Sequence, residues 1–398
     1  NCKIPTRYNT DFVIPFPGFY QAFKTGINIP EIKSSRWLTI SFPDEKDEYT
    51  AANKFAEEIT RKIDQLSASS VDVILIYIPE EYEILTKYDE GILNFDLHDY
   101  VKAYAAQKQI STQFIRERTV KNNMTCQIMW ALSLAIYVKS GRIPWIVSGI
   151  QNDTAFAGIG YSVKMLSSGS NIVIGCSHVY SSDGQGLKYK LSKIQDVTFD
   201  GKKNPYLSEN EAYRIGLNIK ELFYRSFSEL PKRVVIHKRT PFTQKEITGF
   251  VDSLSSAGIK DIDMLEITYE DDFKCFAFNN NASQIDIFPV KRGLCFSIND
   301  NTMYLYTHGI APSVINPSRR YFQGKKAIPL PLKIVKHYGN GSIAQIATEI
   351  LGLSKMNWNS FGLYSKIPCT IESSNEIARI GWLLSQYEGA LYEYRFFM

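Results

Sequence analysis

The chain has 398 residues, of which 44% are hydrophobic and 22% are charged, so it can bury the core of more than one domain. Its formal net charge of +4 is too small for the whole chain to bind nucleic acid electrostatically, so a polyanion site must come from local clusters. Six cysteines and five histidines lack the CxxC and HExxH spacings of zinc sites, which favours a reduced, cytoplasmic protein. No apolar stretch reaches the roughly 20 residues that cross a bilayer.

The first 150 residues alternate apolar, β-branched runs with helical patterns. A strand, helix, strand order with continuously apolar strands predicts a parallel sheet covered by helices, whose ligands bind at the carboxyl edge. The predicted elements are strands at 37–42, 71–79 and 112–116 and helices at 47–66, 99–109 and 122–140. This pattern predicts an α/β, Rossmann-like domain over residues 1–150.

From about residue 151 the pattern changes to three successive strands joined by short turns, which predicts a meander. Ser208 with Glu211, and Thr243 with Glu246, form capping boxes that predict two helix starts. The segment RVVIH between these helices is typical of a buried strand, and a strand pair at 292–309 and a helix at 342–353 follow. This order of elements predicts an RNase H-like domain over residues 151–398.

Basic residues cluster in two stretches of the chain. Seven Lys or Arg residues lie between positions 100 and 142 against the single acid Glu117, and six lie from Arg319 to Lys336 with no acid. A solvated surface is as good an interpretation as a polyanion site for either stretch alone. The second stretch also carries Tyr321, Phe322 and prolines, which suits contact with the backbone of a duplex.

Four polar side chains of the first domain are expected to meet at the carboxyl edge of its sheet. His98 and Lys102 are four residues apart at a helix start, where free amides and the helix dipole favour an anion. Gln113 begins the next strand and Lys139 ends the long helix. Lysine supplies positive charge and glutamine supplies a directional hydrogen bond, so the set predicts a phosphate site. For His98 and Lys102 alone, surface decoration of a helix is the competing interpretation.

The segments HDYVKAYAAQKQISTQFIRERT and IYVKSGRIPW carry these four residues and resemble the MID domain of the Argonaute family. The resemblance implies that His98 stacks on or supports the first nucleotide of a guide. It also implies that Lys102, Gln113 and Lys139 hold the 5′ phosphate of that guide. The carboxylate of Met398 is then expected beside the pocket, bridged to guide phosphates by a Mg²⁺ ion. A packed apolar tail is an equally good interpretation of YEYRFFM.

The second half resembles a PIWI domain, most strongly in GIGYS, RVVIHKRTPF and NPSRRYFQGKKAIPLPLKIVKHYG. PIWI domains that cut nucleic acid place carboxylates around two magnesium ions. Here Gly160 stands where the resemblance expects the first Asp, and Arg239 or Thr240 stands at the second. None of these side chains binds a divalent cation as a carboxylate does, so no catalytic residue and no cleavage are expected in this chain.

Contacts with the phosphate backbone of a guide and target duplex are expected from both domains. His237 and Lys238 are expected to serve the same groove as Arg239, because loss of the catalytic acid removes repulsion toward phosphate. The expected set of backbone-binding residues is Arg116, Arg239, Arg319, Arg320, Lys325 and Lys326.

Other acids and nucleophiles lie outside these motifs. Asp261 and Asp263 alternate along one strand, and a solvent-facing edge is favoured over a metal site for them. Cys176 and His178 lie on an apolar strand, which favours core packing over a nucleophilic role.

The resemblance further implies a short, inactive Argonaute with MID and PIWI domains and without N and PAZ domains. Such proteins resemble one half of a two-protein system. The other half joins an APAZ region to an effector, commonly a TIR or sirtuin-like NAD-consuming domain or a nuclease. Guide RNA, target single-stranded DNA and that effector are the implied partners, NAD depletion in defence is the implied outcome, and a higher oligomer is a further expectation. This chain has no NAD fingerprint.

Two alternatives of other classes stay open. The first is an active nuclease that uses displaced acids such as Asp183, Asp263 or Glu266. The second is an enzyme whose Lys102 and Lys139 bind a small phosphate compound. Copurified nucleic acid would exclude the second alternative, and a magnesium-dependent cleavage assay would test the first.

Overall fold

The computed structural model describes residues 15–90, 93–122, 125–148, 150, 153–165, 171–181, 186–275, 290–309, 329–359, 365–387 and 391–398. The chain forms two compact units. The first comprises Asn1–Pro144, Trp358–Phe361 and Tyr392–Met398, and the second comprises Trp145–Asn357 and Gly362–Leu391. Within the described ranges, no helix combines the length and the apolar character that a membrane span requires.

The first unit packs helices around a short parallel sheet. Its elements are α1 (Phe19–Phe23), α2 (Glu48–Ser67), β1 (Val73–Ile78), β2 (Lys87–Glu90), β3 (Leu93–Asp96), α3 (Leu97–Gln107), β4 (Ser111–Arg116), α4 (Glu117–Val120) and α5 (Thr125–Lys139). α2 begins where the Asp47 carboxylate accepts a hydrogen bond from the Thr50 amide at 2.8 Å. The buried face of α2, with Phe55 and Ile59, packs in one core with Val101 of α3.

β1 and β4 run parallel, with Val73 opposite Ser111 and Ile78 opposite Arg116. Because the two strands are parallel, their carboxyl ends lie at the same edge of the sheet. β2 and β3 form a separate antiparallel pair. The predictions of α2, β1, α3, β4 and α5 are therefore confirmed, with shifts of a few residues at their ends.

The predicted strand at 37–42 is wrong. These residues form neither strand nor helix, and the side chains of Trp37 and Phe42 are 43% and 47% exposed. Ile40 packs on the core, and its carbonyl accepts a hydrogen bond from the Tyr82 hydroxyl at 3.3 Å. The apolar run therefore has a packing role, but no described strand pairs with it, and an apolar run alone cannot supply the partner.

The second unit is built on one mixed sheet. Its elements are β5 (Thr154–Met165), β6 (Asn171–Tyr180), β7 (Gly186–Ile194), β8 (Val197–Phe199), β9 (Pro205–Leu207), α6 (Glu209–Phe227), β10 (Arg233–Lys238), α7 (Gln244–Ser255), β11 (Asp261–Tyr269), β12 (Cys295–Asn299), β13 (Thr302–Leu305), β14 (Leu332–Tyr338), α8 (Ile343–Leu353) and α9 (Cys369–Gly381). The last strand, β15 (Leu391–Glu393), begins at the end of this unit.

The strands of the second unit lie in the order β12, β13, β14, β11, β10, β5, β6, β7. The meander β5, β6, β7 is antiparallel, whereas β10 runs parallel to both β5 and β11. A meander that continues through a helix into parallel strands is the RNase H-like order that the sequence predicts. The α/β fold class is thus confirmed for the chain.

Both predicted helix starts are confirmed, but only the one at Thr243 has a reciprocal capping box; the Glu211 carboxylate accepts from the Gln195 amide instead of from Ser208. The Ser208 hydroxyl accepts from the Glu211 amide at 3.3 Å and begins α6. Thr243 and Glu246 exchange hydrogen bonds in both directions and begin α7. The buried faces of the two helices cover β5, β10 and β11. Local sequence chemistry therefore fixes where each helix meets the sheet.

The solvent-facing interpretation of the acids on β11 is right for Asp261 and wrong for Asp263. The Asp261 side chain is 57% exposed, whereas that of Asp263 is fully buried. Asp263 accepts hydrogen bonds from Arg233 Nε at 2.8 Å and from the Gly341 amide at 2.9 Å. Arg233 also pairs with Glu349 at 2.5 Å. β11 is a central strand with both faces covered, so alternation along it does not separate buried from exposed positions.

Candidate functional site

The start of α3 fixes the position of the first two candidate residues. Asp96 Oδ1 accepts a hydrogen bond from the Asp99 amide at 3.2 Å, so the helix begins at Leu97. His98 then lies in the first turn and Lys102 one turn later. The His98 side chain is 44% exposed, whereas Lys102 is 4% exposed. The two residues share a helix, but Lys102 extends into the first unit while His98 lies near its surface.

Lys102 binds the last residues of the chain. Its Nζ donates hydrogen bonds to the main-chain oxygen of Phe397 at 2.9 Å and to that of Met398 at 2.5 Å. Met398 is 5% exposed, so these contacts are buried. The structure thus places Met398 directly against one of the candidate phosphate-binding residues.

Lys139 ends α5 and meets the first residues of β4. Its Nζ donates to Gln113 Oε1 at 2.6 Å and to the Thr112 carbonyl at 2.8 Å. The Ser111 hydroxyl in turn donates to the Lys139 carbonyl at 2.8 Å, which fixes the end of the helix against the strand. Lys139 is 2% exposed, and its partners among the described residues are neutral oxygens.

Burial lowers the pKa of Lys139 well below its ordinary value, and the positive charge of Lys102 lowers it further. The two ammonium groups are therefore close enough to repel each other in a buried place. Gln113 orients Lys139 through Oε1, and its Nε2 donates to the Phe114 carbonyl at 2.8 Å. Of the four candidates, the structure joins Gln113 and Lys139 by a direct contact, and the charge of Lys102 acts on Lys139.

His98 belongs to a neighbouring pocket at the carboxyl edge of β1 and β4. The residues that line this pocket are Ile78, Thr86, Leu97, His98, Phe114 and Arg116. The His98 ring lies 5.4 Å from the Phe114 ring. Burial lowers the pKa of His98, and this effect is larger than the opposing hydrogen bond with Asp99, so the ring is neutral at pH 7. A flat, neutral ring beside a second aromatic ring is suited to stacking.

Asp96, His98 and Asp99 lie close enough together to hold a metal ion. The Asp96 carboxylate, however, caps α3 through Oδ1 and pairs with Lys87 through Oδ2 at 3.0 Å. Its oxygens therefore already have structural partners. We assign no metal site to this group.

The side chains around Met398 do not by themselves fit a Mg²⁺ ion. Mg²⁺ takes oxygen ligands in a near-octahedral arrangement. The side chain that contacts Met398 is the ammonium group of Lys102, which donates to its main-chain oxygen, and an ammonium group cannot bind Mg²⁺. The expectation of Mg²⁺ at this place therefore stays a prediction that needs phosphate oxygens supplied by a guide.

The main chain of α9 fills the space beside Gly160 on β5. A Cβ atom at Gly160 would lie 2.5 Å from the Ser374 carbonyl carbon and 2.8 Å from the Asn375 nitrogen. Gly158, two residues earlier, is as crowded, with the Thr370 carbonyl carbon at 2.5 Å. Any side chain at Gly160 would therefore require α9 to move.

Arg239 follows the last residue of β10 and is exposed, and Thr240 is half-buried. His237 and Lys238 are 0% and 1% exposed. The expectation that these two contact a duplex is therefore wrong. His237 Nδ1 lies 2.8 Å from the hydroxyl of Thr370, and Lys238 Nζ donates to Glu246 at 2.6 Å. The reason is that β10 is a central strand covered on both faces, so its last residues are core residues.

The displaced acids proposed for an alternative nuclease have other partners where they are described. Asp263 is held by Arg233, and Glu266 Oε2 lies 2.9 Å from His337 Nε2. Asp183 and the side chains of Cys176 and His178 lie outside the described residues.

The remaining backbone-binding candidates are described only in part. Arg116 is 31% exposed, and its Nη1 lies 3.9 Å from Glu83, which leaves most of its donors available. Arg319, Arg320, Lys325 and Lys326 lie outside the described residues.

Sequence reasoning missed three contributions to these sites. Ser111 fixes the end of α5, the Thr112 carbonyl binds Lys139, and the Phe397 carbonyl binds Lys102. No side-chain pattern signals a main-chain acceptor. Ser111 could have been found, because a hydroxyl residue at the start of a strand is close to the end of the following helix in a parallel α/β unit.

Comparison with known proteins identifies the fold. No family model matches the chain. One sequence relative is a protein argonaute of Aquifex aeolicus, 23% identical over 312 residues that make up 78% of this chain and 38% of the relative. A structure of Clostridium butyricum Argonaute bound to a guide DNA and a 19-mer target DNA aligns with a TM-score of 0.63 at 20% identity. That alignment covers 86% of this chain and 42% of the other.

A structure of Aquifex aeolicus Argonaute aligns with a TM-score of 0.52 at 21% identity, over 82% of this chain and 42% of the other. The chain thus spans less than half the length of the proteins it matches. The aligned part has the mixed α/β fold of the MID and PIWI region. The chain is thus similar in sequence to an Argonaute protein and shares the fold of the aligned part of Argonaute structures.

Proposed function

We propose that the first unit binds the 5′ phosphate of a guide nucleic acid, and that the chain then pairs this guide with a target without cutting the target. The observation that carries the proposal is the buried Lys139 ammonium group, whose described partners are neutral oxygens and whose pKa is lowered further by Lys102. A buried charge without a counter-charge is unfavourable. An anion that reached both lysines would remove that cost.

A terminal phosphate suits this place better than a backbone phosphate. It carries up to two negative charges and three accessible oxygens, and two lysines and an amide offer matching charge and donors. The Gln113 amide bridges Lys139 and the Phe114 carbonyl, and in the proposed complex its Nε2 would donate to the phosphate instead of to Phe114. His98 and Phe114 in the neighbouring pocket offer rings for the first base.

The proposed absence of cleavage rests on the second unit. Gly160, Arg239 and Thr240 provide no carboxylate at the positions that the resemblance assigns to catalytic acids. The main chain of α9 also leaves no room for one at Gly160. A two-metal cleavage mechanism needs such carboxylates to hold its ions. The chain is therefore proposed to recognise a target and not to be an enzyme itself.

The identity of the partners follows the family resemblance. The Clostridium butyricum protein is a guide-DNA and target-DNA complex in its solved structure. For this chain we propose guide RNA, target single-stranded DNA and an APAZ-containing effector with a TIR or sirtuin-like NAD-consuming domain. In this proposal target recognition activates the effector in a prokaryotic defence complex in the cytoplasm, with assembly into a higher oligomer. Mg²⁺ at the guide 5′ end belongs to the same proposal.

The test compares RNA of one sequence with a 5′ phosphate or a 5′ hydroxyl. Wild-type protein is expected to bind the phosphorylated RNA more tightly. Lys139→Gln is expected to lose at least about tenfold of that preference, since one charged hydrogen bond contributes about 1.5–3 kcal/mol. Lys108→Gln is the matched control, because Lys108 lies at the end of α3 with its side chain 48% exposed.

Circular dichroism and urea unfolding establish that each variant is folded. Equal affinity of wild-type protein for both RNAs would reject the phosphate site. Competition by a small phosphate compound at similar affinity, without any binding of RNA, would favour the small-phosphate alternative instead. Loss of the preference in both lysine variants alike would show that general charge, and not Lys139, is responsible.

A further inference from the structure

An exposed arginine lies at the carboxyl end of the central parallel strands of the second unit. β10 pairs with β5 so that His237 is opposite Gly158. The pairing of these two strands ends there, and Arg239 is the first residue after β10, just beyond its carboxyl end. The carboxyl edge of parallel strands is where ligands of α/β sheets bind.

Tyr269 holds this arginine in place. Tyr269 is the last residue of β11, the other neighbour of β10, and the Arg239 guanidinium carbon lies 5.2 Å from its ring. A guanidinium beside an aromatic face keeps its N–H groups available for an anion. No carboxylate among the described residues forms an ion pair with Arg239, in contrast to the buried Arg233.

Burial raises the pKa of Tyr269, Arg239 lowers it, and Glu372 in the first turn of α9 raises it. Burial raises the pKa of Glu372 to about 7, and the Asn357 amide donates to its carboxylate at 2.9 Å. A carboxyl group with this pKa is about half protonated at pH 7, so its average negative charge is reduced. Glu372 therefore opposes a phosphate beside Arg239 less than an ordinary carboxylate would, whereas the acids Glu270, Asp271 and Asp272 follow Tyr269 directly in the sequence.

On the neighbouring strand β5, the main chain of α9 takes the place that a side chain at Gly160 would need. The Ser374 and Asn375 main chain occupies the space of a side chain at Gly160. A cutting enzyme has acids and divalent cations at such a place, whereas this sheet edge has the Arg239 guanidinium and the helix α9. Both arrangements present positive charge to a phosphodiester, but a guanidinium cannot activate a water molecule for attack.

We propose that Arg239, held against Tyr269, binds a single phosphodiester of the target strand. It supplies there the positive charge that metal ions supply in a cutting enzyme. The proposal rests on the guide-directed binding proposed above and deepens it by naming the contacted group. Arginine suits this role because its planar fork pairs with two oxygens of one phosphate. The contact is expected to be independent of sequence, since it reads only the backbone.

The experiment uses protein loaded with a 5′-phosphorylated guide RNA and a set of target DNAs. Each target carries one uncharged methylphosphonate at a different position. In wild-type protein, one position is expected to weaken target binding about tenfold, as the loss of a charged hydrogen bond does. In Arg239→Gln, the unmodified target is expected to bind about tenfold more weakly, and that same methylphosphonate is expected to have no further effect.

Lys245→Gln is the matched control, since Lys245 is an exposed residue of the adjacent α7. It is expected to keep the wild-type pattern. Arg239→Lys keeps the positive charge without the planar fork, and its affinity for unmodified target is expected to lie between those of wild type and Arg239→Gln. If Arg239→Gln binds unmodified target like wild type, or if every methylphosphonate weakens it as in wild type, the proposal is overturned.

The binary affinity for guide separates this outcome from failure of the proposed function. Arg239→Gln is expected to load guide RNA as wild type does, because Arg239 lies in the second unit and the phosphate site in the first. If wild-type protein does not load guide, the proposed function fails. If loading is normal and only the methylphosphonate pattern is absent, the function stands and the assignment of Arg239 falls.

Discussion

Substitution of Gly160 gives the sharpest test of the packing on β5. A Cβ atom there would lie 2.5 Å and 2.8 Å from two main-chain atoms of α9, and main-chain atoms of a packed helix cannot turn aside as a flexible side chain does. Overpacking of this kind costs about 1–3 kcal/mol, which we expect for Gly160→Ala. Gly160→Asp adds a buried carboxylate beside the Ser374 carbonyl and is expected to exceed about 4 kcal/mol in total.

The assay is urea unfolding followed by circular dichroism, with amide hydrogen exchange of β5 and α9 as the local readout. Gly201→Ala is the control, because a Cβ atom there meets nothing within 4 Å. We expect the control within about 0.5 kcal/mol of wild type. A Gly160→Ala variant as stable as wild type would refute the packing argument. Magnesium-dependent cleavage by Gly160→Asp would refute the view that α9 excludes a catalytic centre.

Two further predictions concern buried charge in the second unit. Asp263→Ala leaves Arg233 with an incomplete set of partners and is expected to cost about 3–5 kcal/mol in urea unfolding, whereas Asp261→Ala, at an exposed position, should change stability by less than about 0.5 kcal/mol. Equal effects would contradict the assignment of Asp263 to the core. Burial lowers the pKa of His237 to about 3, so the unfolded chain binds a proton below about pH 6.5 that the folded chain rejects. Stability should therefore fall from pH 6.5 toward pH 4, and His237→Gln should reduce that slope by about 1.4 kcal/mol per pH unit; parallel slopes would exclude His237 as the cause.

The sequence predicts the secondary structure well where local chemistry decides it. Ser208 and Thr243 cap α6 and α7 as expected, because the cap hydroxyl and the amide that it accepts from are three residues apart. The apolar run at 37–42 fails as a strand, since a strand also needs a partner that its own residues cannot specify. The prediction also fails for a residue of a central strand. The sequence analysis expects Asp263 to face solvent, but both faces of β11 are covered and Asp263 is buried.

The sequence identifies the residues of the candidate site better than it identifies the contacts between them. The sequence predicts that Lys102, Gln113 and Lys139 meet at the carboxyl edge of the sheet. The structure brings Gln113 and Lys139 into contact, but Lys139 meets the first residues of β4 and not its carboxyl end. Spacing could not show that Lys102 binds main-chain oxygens of Phe397 and Met398, which are distant in sequence and have no side-chain signal. Spacing also could not show which side chains would be buried, and burial is the main cause of the lowered pKa of Lys139.

The nucleic acid that copurifies with the protein gives the most direct test of the proposed phosphate site. The extracted material is labelled by polynucleotide kinase with and without prior phosphatase treatment, because the kinase labels only free 5′ hydroxyl ends. We predict short RNA that accepts label only after phosphatase, from wild-type protein and from Lys108→Gln, and a marked loss of such RNA from Lys139→Gln. Bound RNA that is labelled equally without phosphatase, or that is retained in full by Lys139→Gln, would contradict a site built to hold a terminal phosphate.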